Sequence, residues 1–148
     1  MSSTEAPQRG LSRESFSALS AETDRRRARL EVAMEERRFR LLEAIVAHPH
    51  RAPSKAELRW TSALDPATLY RQLSRLEEAG LIERGELPPG ERREGLPYVF
   101  YRLTADGRAL IDSVPVFASP EALGRRYAEL DKPDEVRRAE RCPRPFDA

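Results

Sequence analysis

Apolar residues recur at helical spacing through the first third of the chain and at strand spacing just beyond its middle. From Ala21 to Ala47 there is no glycine or proline. Leu30, Met34, Leu41 and Ile45 keep one helical face, and Phe39, Leu42 and Val46 widen the stripe. The pattern predicts one long helix ended by His48-Pro49. Its stretch Glu22 to Arg40 is mostly charged, so only its last turns are expected to be buried. The earlier turns either project into solvent or meet a partner helix. Ahead of it, residues 1–20 carry six serines and few large apolar side chains, which predicts disorder.

Two helix starts follow. Ser54-Lys55-Ala56-Glu57 has capping-box spacing and opens a short helix that buries Leu58. After a break at Thr61 to Leu64, Asp65-Pro66 supplies an N-cap carboxylate and a proline at the first helical position. That helix is expected to run over 66–79 and to stop at Gly80. Leu81 to Arg84 and Tyr98 to Leu103 then read as two strands of a hairpin, joined by a loop containing Pro88-Pro89-Gly90 and Arg92-Arg93. Thr104 caps a further helix, Ala105 to Val114, ended by Pro115. Two weaker helical stretches, Pro120 to Leu130 and Asp134 to Arg141, lie between prolines.

The order is that of a winged helix-turn-helix. The expected fold is mainly α with a small β-hairpin wing (α+β), a long N-terminal helix and an irregular C-terminal extension. Three regions follow: a disordered segment 1–20, a winged helix-turn-helix domain 21–114, and a helical or partly disordered extension 115–148.

On a helical wheel Leu69, Leu73 and Leu76 fall within about 60° of one another and define a buried face. Ala67, Tyr70, Arg71, Ser74 and Glu78 lie opposite, with Thr68 and Arg75 on one flank. A recognition helix needs this division, because one face anchors the helix while the other offers small, hydroxyl and guanidinium groups to a major groove. Arg71 suits a guanine edge, Thr68 or Ala67 a thymine methyl, and Arg75 a phosphate. Ser74 and Tyr70 share the outer face, and Lys55 adds a cation at the start of the preceding helix. Arg92 and Arg93 of the wing are placed to reach a minor groove or its phosphates.

The run Ala67-Thr68-Leu69-Tyr70-Arg71-Gln72-Leu73-Ser74-Arg75-Leu76-Glu77-Glu78-Ala79-Gly80-Leu81-Ile82-Glu83-Arg84 resembles the recognition helix and first wing strand of bacterial winged-helix regulators of the PadR-like group, with the MarR type second. Tyr101-Arg102-Leu103-Thr104-Ala105-Asp106-Gly107-Arg108 is similar to their second wing strand and the helix start after it. The resemblance spans Arg40 to Ile111. It implies a homodimer that binds an operator with two half-sites on double-stranded DNA and represses. Pro115, Pro120 and Pro133 interrupt any long C-terminal dimerisation helix. The expected seam therefore moves to the N-terminal helix, at Leu30, Met34 and Leu41, with packing on its own domain as the alternative from Leu41 onward.

Composition changes this picture in one respect. The 148 residues carry 26 Lys+Arg against 25 Asp+Glu, a net charge of +1. A nucleic-acid partner usually leaves a basic excess. Placing the charges answers part of that objection, since Glu57 and Asp65 are spent on caps while arginines gather on the outer face of helix 66–79. A winged-helix module that binds protein instead of DNA is the alternative that near-neutral charge supports. A plasmid or phage accessory protein with the same mechanism is another. No apolar run approaches a membrane span, and a cytoplasmic, nucleoid-associated protein is expected. A single cysteine, Cys142, excludes a disulfide scaffold. His48 and His50 lack zinc spacing, so neither metal nor cofactor is expected. No nucleophile elbow, phosphate-binding glycine loop or zinc-protease motif is present, which argues against an enzyme.

Overall fold

Ser12 accepts a hydrogen bond from the Ser15 amide and starts the first helix, α1 (Arg13–Met34). The computed structural model describes residue 10 and residues 12–146. The expectation of disorder over 1–20 therefore lies partly outside the described residues, and from Arg13 onward it is replaced by helix. The cap, Glu14 in the first turn, the Glu22–Arg26 pair at 2.9 Å and the lack of glycine or proline all favour that extension.

The long helix expected over 21–47 is two helices. Glu35 adopts extended backbone, ends α1 and caps α2 (Glu36–Ala47) by accepting from the amides of Arg37 and Arg38. The break frees the Val32 carbonyl, which accepts from Arg38 Nε at 2.6 Å. Arg38 Nη1 then donates to Gln72 Oε1 at 2.6 Å, across 34 residues. This buried contact fixes the angle at which the two helices meet.

Next come α3 (Lys55–Ser62), α4 (Pro66–Glu78), β1 (Ile82–Glu86), β2 (Val99–Leu103), α5 (Ala105–Ser113), α6 (Pro120–Ala128) and α7 (Asp134–Glu140). The two strands pair antiparallel, with Ile82 opposite Leu103 and Glu86 opposite Val99. α2 is the centre, packed against α1, α3, α4, α6 and β2. Its Leu41, Leu42 and Ile45 meet Leu58, Leu69, Leu73, Leu76 and Leu81 in the main core. Each such leucine contributes about 1.5–3 kcal/mol by leaving water.

Gly107 explains the Thr-x-x-Gly sequence after the second wing strand. Thr104 caps α5 through the Gly107 amide, and its own backbone amide donates to the Leu81 carbonyl. A Cβ at Gly107 would lie 2.0 Å from that same carbonyl oxygen. Only glycine lets the start of α5 rest directly on the end of the Gly80-Leu81 turn.

The C-terminal extension is ordered and packed. α6 lies on α2, and α7 lies on α3. Beyond α7, Cys142 and Phe146 join Leu87, Leu96 and Phe100 in a second small core under the wing. Gly85 permits this, because a side chain there would collide with the Phe146 ring at 2.6 Å.

Candidate nucleic-acid interface

Asp65 caps α4 by accepting from the Thr68 amide at 2.7 Å and from the Thr68 hydroxyl at 3.0 Å. These hydrogen bonds hold its carboxyl below the usual range. The same hydroxyl accepts from Arg71 Nη2 at 3.3 Å, so Arg71 is directed toward the start of the helix. Leu69, Gln72, Leu73 and Leu76 are buried. Ala67, Tyr70, Arg71 and Arg75 are exposed, and Thr68 and Ser74 half-exposed. Tyr70 exposes 62% of its surface, an expense of apolar area that packing does not explain. Lys55 of α3 is exposed, with its ammonium 5.8 Å from the Tyr70 ring centre. The turn between α3 and α4 passes through Ala63 at φ 58°, a left-handed conformation that closes the helix-turn-helix.

The wing arginines divide. Arg92 is taken up by the wing itself. Its Nε donates to the Leu87 carbonyl at 2.8 Å, Nη2 reaches Glu86 at 3.1 Å, and the guanidinium lies 4.1 Å from the Tyr98 ring centre. Arg92 thus props the loop between the strands, while its side chain stays about one-third exposed. Arg93 is exposed and lines a crevice beside Arg138 and Arg141 of the tail.

The proposed dimer seam needs one correction. Leu41 is fully buried within its own domain and cannot meet a partner. The helical stripe is real, but the break at Glu35 turns its second half into the domain core. Leu30 is half-buried against α5 and Met34 is 37% exposed. Phe16 and Leu19, which the sequence reading placed in the disordered segment, are the more exposed apolar residues of α1.

Between the end of α2, the start of α3 and the tail lies a buried polar cluster that sequence reasoning missed. His48, at the end of α2, contacts Glu57 of the α3 capping box through Nε2 and Oε2. The other oxygen, Oε1, accepts from the Ser54 amide at 2.9 Å and from Arg144 Nη2 at 3.1 Å. His48 Nδ1 accepts from the His50 amide, which leaves the proton on Nε2, where it donates to Glu57. Burial holds the His48 pKa below its ordinary value, outweighing the hydrogen bond to Glu57. Burial pushes the Glu57 carboxyl up, but His48, the Ser54 amide and Arg144 together bring it below the usual range. The pair is thus a neutral imidazole on a carboxylate whose charge Arg144 balances. The capping-box spacing found Glu57, but nothing local tied it to residues 48 and 144.

Ligand atoms of His48, Glu57 and Glu140 lie within 4.8 Å of one another, the one such grouping among the described residues. Arg144 Nη2 lies 3.3 Å from His48 Nε2 and 3.1 Å from Glu57 Oε1. A cation of the chain's own already occupies the place a metal would take. Among the described residues no helix is long and apolar enough to cross a membrane.

Residues 55–113 match the model of the transcriptional regulator PadR-like family. That stretch runs from the start of α3 to the end of α5. No curated protein matches the chain. Among solved structures it is similar to a protein with a GntR superfamily winged-helix-turn-helix domain from Halomicrobium mukohataei, with a TM-score of 0.74 and 24% identity, covering 95% of this chain and 94% of that one. It is also similar, more distantly, to the transcriptional repressor BigR from Xylella fastidiosa, at a TM-score of 0.48 and 21% identity over 74% of this chain and 99% of that one. The first likeness establishes the winged-helix fold across nearly the whole chain.

Proposed function

We propose that this chain is a PadR-like DNA-binding transcriptional regulator, a reading supported by the family match over residues 55–113, and that it reads its operator as follows. α4 enters the major groove, Arg71 and Thr68 meet base edges near its N-terminus, and Arg75 holds a phosphate. Ala67, Tyr70, Ser74 and Lys55 complete the surface. The observation that carries this is the division of α4. Its four inward residues are buried, while hydroxyl, guanidinium and aromatic groups stand outward, with side-chain hydrogen bonds among the described residues confined to Asp65, Thr68 and Arg71. Arg93 supplies the wing contact to the sugar-phosphate backbone.

The protein acts as a homodimer and represses by covering its operator. α1 supports this role for the seam. Phe16, Leu19, Leu30 and Met34 fall within about 60° on its wheel, and Phe16 and Leu19 are 65% and 50% exposed. A two-fold dimer predicts half-sites about 34–36 Å apart, one helical turn of DNA.

Selection of bound fragments from a genomic DNA pool, with the mass of the complex measured alongside, tests both statements. The expected result is a palindromic site carrying two chains. Absence of any salt-dependent DNA binding would leave a protein-binding module as the reading.

A further inference from the structure

The wing hairpin carries the recognition helix on one face and the tail on the other. Alternation along the strands sends Ile82 and Tyr101 into the main core that α4 shares. Gly85 and Phe100, paired in register, turn the opposite way, where Phe146 and Cys142 cover them. The end of α7 thus comes up beside the loop that joins the strands. There Arg138 and Arg141 of the tail and Arg93 of the loop line one crevice of about 600 Å³. The two tail arginines lie beyond residues 55–113, the stretch that matches the family model.

Arg93, Arg138 and Arg141 are all exposed, and among the described residues none of them forms an ion pair. The cations around them do: Arg92 with Glu86, Lys132 with Glu140, Arg137 with Asp131 and Arg144 with Glu57. Glu91 is the one acid that lines the crevice. Arg138 and Arg141 are three residues apart at the end of α7, opposite its buried Val136 and Ala139. At that spacing like charges are neighbours and repel, which an anion set between them relieves. The backbone that carries them is held in place. Arg144 Nη1 donates to the carbonyls of Ala139 and Cys142, and Nη2 to Glu57 of α3. A partner meeting these arginines therefore has no main chain to order, which lowers the cost of binding.

We propose that duplex DNA seated on α4 continues past the wing to the tail, where Arg138 and Arg141, with Arg93, hold phosphates of the backbone flanking each half-site. The tail is then part of the DNA-binding surface, on the far side of the wing from α4. The cations sit on two elements and are open to solvent, an arrangement that suits a polyanionic backbone lying across them. Such contacts gain affinity by releasing counterions from the DNA. They position the duplex and read no sequence. On a chain whose whole sum is +1, they place unpaired positive charge at the outer edge of the footprint. This placement rests on the reading of α4 given above, and the test separates the two.

Two fluorescein-labelled duplexes carry the site recovered by genomic selection. One ends at the outer edges of the half-sites, and the other continues for about ten base pairs of unrelated sequence on each side. Anisotropy titrations of the full chain at several salt concentrations compare them. The native chain should bind the extended duplex more tightly and with a steeper salt dependence. The double variant Arg138→Gln/Arg141→Gln should lose about tenfold or more on the extended duplex and flatten its salt slope by about two. Its Tm, its base preference and its affinity for the trimmed duplex should stay as they were. Arg137→Gln is the charge control, since Arg137 lies on the same helix, pairs with Asp131 and does not line the crevice. Unchanged affinity of the double variant for the extended duplex would overturn the proposal. So would an equal loss on both duplexes, or a loss that Arg137→Gln reproduces. If any of these occurs while Arg71→Ala still relaxes base preference, the tail contact fails and the reading of α4 stands. A native chain without salt-dependent DNA binding would overturn both.

Discussion

Arg144 and Glu57 stand 87 residues apart in the chain and meet at 3.1 Å, with both side chains almost wholly buried. Through this contact the tail beyond α7 grips the first helix of the helix-turn-helix. Arg144 Nη1 also donates to the carbonyls of Ala139 and Cys142, so the grip is built into the backbone path of the tail. Arg144→Met should destabilise the fold by about 3 kcal/mol, because Glu57 keeps a buried charge without its counter-ion. Denaturant unfolding would show the lowered midpoint. Glu57→Gln in the same background should recover part of the loss, and a strictly additive double variant would contradict a coupled pair.

The same cluster makes stability depend on pH from the acid side. Folded His48 has a lowered pKa, so below about pH 6.5 the unfolded chain binds a proton that the folded one refuses. Stability therefore falls as pH drops through that value. Glu57, also lowered, contributes stability that is full above its unfolded pKa near 4.5 and is lost as pH falls through the folded value. Thermal unfolding between about pH 7.5 and 5 should show a declining Tm. His48→Gln should flatten the part of that slope near pH 6.5.

For DNA binding the two arginines of α4 should separate. Arg71→Ala is expected to cost about 1–3 kcal/mol and to relax preference at one base pair. Arg75→Ala should weaken all sequences alike and reduce the salt slope by about one. Anisotropy titrations on the selected site and on single-base variants, at two salt concentrations, distinguish these outcomes. An Arg71→Ala protein with unchanged base preference would remove α4 from the groove.

Gly107→Ala should destabilise by about 1–3 kcal/mol, since its methyl group would be forced against the Leu81 carbonyl. The neighbouring Ala109, exposed on the same helix, is the control, and Ala109→Ser should change the unfolding midpoint little.

The pair Phe16→Glu and Leu19→Glu tests the dimer seam. Both side chains are exposed, so the domain should keep its Tm while sedimentation shows the mass of one chain. Leu41→Ala should behave in the opposite way. It should lose about 2–5 kcal/mol of fold stability, because its side chain belongs to the core of the single chain.

Sequence alone determined the elements whose signals are local. Ser54 to Glu57, Asp65-Pro66, Gly80 and Thr104 each act within one turn of backbone, so caps and stops were legible and the winged-helix order followed. The division of α4 was legible too, because a period of 3.6 residues assigns faces without reference to anything distant. Only tertiary structure decided the break at Glu35. No glycine or proline marks it, and it is held by Arg38 reaching forward to Gln72 on another helix. The full burial of Leu41 was decided in the same way, by core neighbours on other elements, whereas Arg92 is held within the wing by Glu86, Leu87 and Tyr98. So was the tail, whose Arg144 and Phe146 find Glu57 and Gly85 across the domain. A pairing between residues tens of positions apart leaves no periodicity and no turn chemistry to read. Within the near-balance of charge, the cap acids and the arginines of α4 were legible locally, whereas the pairing of Arg144 with Glu57 is one that folding alone reveals.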